Sequence, residues 1–192
     1  MDPRPLYIRT LDQLEKVFAG ITPADLSRST PCTEYDLRAL LGHVIGGIHR
    51  IAYVGEGGRA LDVSPAVGEI DDTDWSGALG RARARATAAW ADDATLDRIV
   101  EVPWGAMPGR MALGGYVMEA ATHTWDITQV VAPDTALDQE LALVSLGIAE
   151  KVIPAERSRE GLPFGPLQEV PADADAYARL AGWLGRAVGR AA

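Results

Sequence analysis

Three residues of this chain are of types that bind and activate a divalent cation, and their spacing allows them to act together. Glu119 and His123 stand four apart, and His43 lies far upstream. On a helix, positions i and i+4 stack one turn apart, so Glu119 and His123 can converge on one ion while His43 completes the set from a facing helix. Three protein ligands leave a coordination position open, as in a catalytic zinc site; a structural site would be closed by four. Asp126, three residues beyond His123, reads either as the partner that orients a ligand histidine or as a charge near the helix end at the rim of a bundle. Taken singly, these residues say little. E-x-x-x-H spacing is common in plain hydrogen-bonded pairs, and a lone inward histidine is more often a satisfied core residue than a ligand.

What singles them out is the face each occupies. On a helix expected over about Glu34 to Val54, steps of roughly 100° place Leu37, Leu40, Val44, Ile48 and Ile51 toward a core. His43 falls at the edge of that side, beside Gly47 and Val54, and His49 falls opposite it with the solvent-facing set. On a helix expected over about Met111 to Val131, Ala112, Tyr116, Ile127 and Val130 define an apolar side, and Glu119, His123 and Asp126 lie within the same stripe. The opposite side carries Val117, Ala121, Thr124 and Thr128. Three ionisable groups on a core face need a reason, because buried charges are costly unless paired or coordinated. A metal supplies one.

The remaining elements are helical too. Leu11, Leu14, Phe18 and Ile21 mark a first helix over about Leu6 to Ala19, and Thr33 to Asp36 has the spacing of a capping box for the second. A third helix is expected from Ser76 to Trp90, where alternating Arg81 to Arg85 would suit a strand by period but arginine and alanine favour helix. Leu96 to Val102 alternates before the turn Trp104 to Gly109, room for a strand fragment. Further helices are expected over about Leu137 to Ile153 and Asp173 to Val188, with loops over Gly55 to Ser76 and from Pro154 to Val170. The fold class is therefore all-α: an up-and-down four-helix bundle with additional C-terminal helices, one domain over residues 1–192.

Composition narrows the chemistry. Of 192 residues, 47% are hydrophobic and 23% charged, the balance of a globular protein. Eighteen basic against 27 acidic residues give a net charge of -9, which repels phosphate backbones and anionic headgroups, so neither nucleic acid nor a membrane is an expected partner. No apolar run reaches membrane-spanning length, and a cytoplasmic location is expected. The single cysteine, Cys32, excludes an internal disulfide and a multi-thiolate zinc ribbon. Its place before a helix start is one that lowers a thiol pKa, but small-residue packing is the commoner role there. The five tryptophans read as core and loop anchors. Gly55 to Gly58 lacks the lysine of a phosphate loop.

The stretch Thr30-Pro31-Cys32-Thr33-Glu34-Tyr35-Asp36-Leu37-Arg38-Ala39-Leu40-Leu41-Gly42-His43-Val44-Ile45-Gly46-Gly47 resembles the N-terminal signature of the actinobacterial, mycothiol-dependent maleylpyruvate isomerase branch of the DinB-like superfamily. Pro103-Trp104-Gly105, Met107-Pro108-Gly109, the pattern E-x-x-x-H-x-x-D over Glu119 to Asp126, and Arg179-Leu180-Ala181 to Gly185-Arg186 agree with it. The resemblance implies a four-helix bundle holding a divalent metal, usually zinc, on His43, Glu119 and His123, the residues that helical placement selects. Nickel and iron also suit such a donor set. The family commonly has tryptophan where Tyr35 stands, and the isomerase itself carries a second, C-terminal domain. A chain of this length is expected to be more similar to stand-alone thiol S-transferase-like members than to the isomerase.

The resemblance implies mycothiol as cosubstrate, with a small electrophile as the other partner; related bundles often dimerise, so a homodimer is a further expectation. A metal-held thiol ionises at neutral pH without help from a protein cysteine, which suits a chain with only one. Two other readings stay open: a hydrolase in which water replaces the thiol, and a non-catalytic bundle that binds a small ligand and keeps the triad as a cross-link. The same ligand set occurs in non-haem iron oxygenases, which a helical bundle disfavours.

Overall fold

The computed structural model describes residues 2–156 and 164–188. Helix α1 spans Arg4–Phe18, α2 Leu37–Gly55, α3 Trp75–Ala89, α4 Asp93–Asp97, α5 Gly109–Val131, α6 Gln139–Val152 and α7 Ala176–Trp183. Two short strands, β1 (Ile99–Val102) and β2 (Gly105–Pro108), form an antiparallel hairpin between α4 and α5. Alternation over 96–102 thus marks one strand, and its partner lies in the stretch expected to be turn alone. Gly105, at φ +131, permits the tight reversal.

Helices α1, α2, α3 and α5 close a four-membered ring in which α1 packs on α3 and α5, and α2 packs on the same two. Their apolar faces share one core that includes Leu11, Leu14, Leu40, Ile48, Ile51, Leu79 and Ile127. Helices α6 and α7 pack on each other and on the outer side of α5. This explains why Ala121, Thr124 and Thr128, assigned by the helical wheel to the side opposite the core, are buried as well, whereas Val117 from that side is buried in the bundle core itself. Ala121 and Trp125 meet Ala142, Tyr177 and Ala181 in a second cluster. A helix covered on both sides cannot display one apolar stripe. Among the described residues, no helix is long and apolar enough to cross a membrane.

Helix α2 begins three residues later than the capping-box pattern implies. The cap is the Asp36 side chain, which accepts from the Ala39 N–H at 2.8 Å. Residues 33–36 are instead held in a turn, where the Thr30 hydroxyl reaches the carbonyls of Cys32 and Tyr35 at 3.0 and 2.8 Å. The long connection after α2 is partly anchored. A Cβ on Gly46 would stand 2.5 Å from Ala66 Cα, and one on Gly42 would stand 2.6 Å from the Val67 carbonyl oxygen, so only glycine lets this loop lie flush on the helix. Helix α7 is shorter than the expected 173–188. Asp175 caps its start, and its end is a Schellman turn: Gly185, at φ +84, donates to Gly182 at 3.1 Å and Arg186 to Ala181 at 2.9 Å.

Candidate metal centre

His43 from α2 and Glu119 and His123 from α5 meet inside the bundle, each offering one ligand atom within 4.8 Å of the other two. His43 Nε2 stands 3.3 Å from Glu119 Oε1. Two atoms bound at 2.0–2.1 Å to one tetrahedral ion stand about 3.3 Å apart. The imidazoles of His43 and His123 lie edge to face, their centroids 5.1 Å apart, and Tyr35 stacks on His43 at 5.2 Å. The Glu119 carboxylate lies next to α2 at Gly47, where a Cβ would stand 3.4 Å from Oε1, an ordinary contact. The His43 and Glu119 side chains are 19% and 27% exposed and His123 is 9% exposed, so the cluster runs from a mouth to a buried floor.

Behind the floor, His123 Nδ1 lies 2.9 Å from Asp126 Oδ2. With Nδ1 giving its hydrogen to that carboxylate, Nε2 keeps its lone pair. Asp126 lies away from the helix end's solvent rim: its side chain is fully buried, with His123 as a partner. Arg186 closes the chain of contacts, with Nε 3.3 Å from Asp126 Oδ1 and Nη2 3.1 Å from Oδ2. Arg186 entered the sequence reading only as one letter of the family pattern. Its approach depends on the glycine turn that ends α7, which leaves no periodic signal.

Electrostatics favour the ligating forms. Burial raises the cost of ionising Glu119, but the contact with His43, the nearby His123 ring and the Arg50 guanidinium outweigh it and hold its pKa below the usual carboxylate range. Burial pushes the His123 pKa down, against the pull of Asp126, which favours the neutral ring. Asp126 is held low by His123 and Arg186 despite its own burial. These are a carboxylate and a neutral imidazole, the forms a cation needs. The donor set and its spacing thus fit a divalent ion.

A small pocket opens beside the cluster, lined by Tyr7, Tyr116, Glu119 and His123 with apolar neighbours, and its volume is about 10 Å³. Type and spacing do not mark either tyrosine for such a place: Tyr7 sits on α1, whose wheel shows only a core face, and Tyr116 is one of the apolar positions of α5. Trp104, at the hairpin tip, packs on Tyr116 with centroids 5.3 Å apart. Cys32 lies with His123 and Asp126, one ligand atom of each within 4.8 Å of the others. Burial pushes its thiol pKa up, with Arg186 opposing and Asp126 adding, so the helix start does not activate it. His49 is half-buried rather than fully solvent-facing, and its Nδ1 is buried with no hydrogen-bond partner.

The fold is a DinB-like helical bundle. The chain belongs to the mycothiol maleylpyruvate isomerase N-terminal domain family, whose sequence profile matches residues 9–128. It is 28% identical over 188 residues, 98% of this chain and 100% of theirs, to two uncharacterized proteins of Mycobacterium tuberculosis, MT0763 from strain CDC 1551 / Oshkosh and Rv0738 from strain H37Rv. In structure it is similar to the mycothiol-dependent maleylpyruvate isomerase, with TM-score 0.57 and 12% identity, and to a point mutant of that enzyme, with TM-score 0.60 and 11% identity. Each likeness covers 76% of this chain, which spans only 65% of the isomerase chain's length.

Proposed function

We propose that this protein is a divalent-metal enzyme that brings a low-molecular-weight thiol, of the mycothiol type, to a small electrophile. The observation that carries this reading is the convergence of His43 Nε2, Glu119 Oε1 and a His123 nitrogen in one cluster with a 3.3 Å edge. His43, Glu119 and His123 would hold the ion, and zinc suits two nitrogens and one oxygen with a position left open, as nickel and iron also do. When bound, the ion lowers the pKa of a coordinating thiol, so that a thiolate is available at neutral pH. Asp126 keeps the Nδ1 hydrogen of His123 and thereby aims Nε2, and Arg186 balances the charge that Asp126 buries. Cys32, its thiol pushed up by burial, is a poor nucleophile, so the attacking sulfur comes from the cosubstrate. Membership of a mycothiol-linked family supports the choice of thiol.

Elemental analysis of the purified protein tests the centre: about one equivalent of divalent metal is expected in the wild type and none in His123→Ala. A wild type free of metal, shown not to have been stripped during preparation, would overturn the reading. The pocket of about 10 Å³ beside Glu119 and His123 has room for one water and favours, as the second reading, a hydrolase. Turnover of a test electrophile that does not depend on added thiol would decide for it.

A further inference from the structure

Tyr7 has a hydroxyl with no work to do in the fold. Its residue is 4% exposed, and among the described residues the buried hydroxyl oxygen has no hydrogen-bond partner. A phenylalanine would fill the same space among Leu11, Val44 and Ile48 without leaving a polar atom unpaired, so packing does not account for the oxygen. The ring lines the pocket that Glu119 and His123 also line, and that pocket is about one water in size. Apart from Tyr116, Glu119 and His123, the walls are apolar, made by Val44, Ile48 and Ala120 with Gly47. Tyr7 thus shares this pocket with two of the candidate ligands, and it lies close enough to the Glu119 carboxylate to feel its charge.

We propose that the Tyr7 hydroxyl donates a hydrogen bond to the atom that a bound ligand presents to His43, Glu119 and His123, an anionic sulfur or oxygen. This inference rests on the metal-centre reading above and adds a recognition element from α1, the one bundle helix in contact with α5 that supplies none of the three ligands. A donor suits this place because the ligand atom is negative when it arrives at a cation, and a hydrogen bond to an ionised acceptor is about twice as strong as one between neutral groups. Burial and the Glu119 carboxylate both push the Tyr7 pKa up, so its proton stays in place across the working range.

The test compares wild type with Tyr7→Phe, both loaded with Co2+, with 2-mercaptoethanol as the thiol probe and alkaline titration without thiol as the water probe. Cobalt absorption reads both, chelator competition reads metal affinity, and thermal melting of the metal-free proteins reads the fold. Tyr7→Phe is expected to melt no lower than wild type and to bind Co2+ equally well. It should bind the thiol at least about tenfold more weakly, or, for a water ligand, move the alkaline transition up by about one pH unit. Unchanged thiol affinity together with an unmoved transition overturns the proposal. A lowered melting temperature with neither effect assigns the hydroxyl to the fold and overturns it too. If the wild type takes up no Co2+, the metal-centre reading fails first and this inference falls with it.

Discussion

Asp126 Oδ2 is shared between two cationic or proton-bearing partners: it lies 2.9 Å from His123 Nδ1 and 3.1 Å from Nη2 of Arg186, a residue sixty positions further along the chain. Both charged side chains are almost wholly removed from water. Removing one partner of such a pair leaves the other buried and uncompensated, at a cost of about 3–5 kcal/mol. Asp126→Asn and Arg186→Met should each lower the unfolding free energy by about that amount, while the double variant should cost less than the sum, as measured by denaturant unfolding in a double-mutant cycle.

The same contacts bear on metal affinity. Loss of a carboxylate behind a ligating histidine typically weakens binding by about 10–100-fold. Asp126→Ala is expected to show that loss in a chelator competition, with His43 and Glu119 unchanged. Equal affinity in the variant and the wild type would mean that Asp126 supports the fold alone.

Acid should release the ion and loosen the apoprotein in sequence. The His123 pKa lies below its ordinary value of 6.5 in the folded state, so the unfolded chain takes up that proton more readily. Stability from His123 is then complete above pH 6.5 and is lost as the pH falls below it. Glu119 and Asp126, also held low, have the same sign and act below their ordinary values of 4.5 and 3.8. Melting temperatures of the apoprotein should be flat in this respect above pH 6.5, fall first on the acid side of it, and fall again below pH 4.5.

The loop on α2 offers a test that avoids the ligands. Gly46→Ala would place a Cβ 2.5 Å from Ala66 Cα, closer than atoms approach, so the loop must lift. A cost of about 1–3 kcal/mol is expected, with faster amide exchange at Val67, whose N–H donates to the Gly42 carbonyl at 3.1 Å.

Cys32 should react slowly. Its raised pKa and partial burial predict alkylation by iodoacetamide at pH 7 well below the rate of a small free thiol, and Cys32→Ser should still bind one equivalent of metal. Alkylation as fast as that of a free thiol would mean that the surroundings of Cys32 do not hold the proton.

Much of the bundle is legible from helical periodicity. The apolar positions of α1 and α2 recur at three- and four-residue steps because each of these helices faces one core, and their bounds fall within three residues of the pattern. Glu119, His123 and His43 are legible for the same reason, since charged groups inside an apolar stripe stand out against it. The back of α5 is not, because α6 and α7 cover it and a helix buried on both sides shows no contrast. Arg186 and Tyr7 escape for different reasons. Arg186 reaches Asp126 through a single left-handed glycine, whereas Tyr7 lies among core residues and differs from them by one oxygen.

The sixty residues between Asp126 and Arg186 also set an order in time. A ribosome adds about 5–20 residues per second, so Asp126 is made about 3–12 seconds before the guanidinium that balances it. Until then the nascent chain must keep that carboxylate hydrated or protonated, and the back of α5 gains its charge balance only when the last helix has been made.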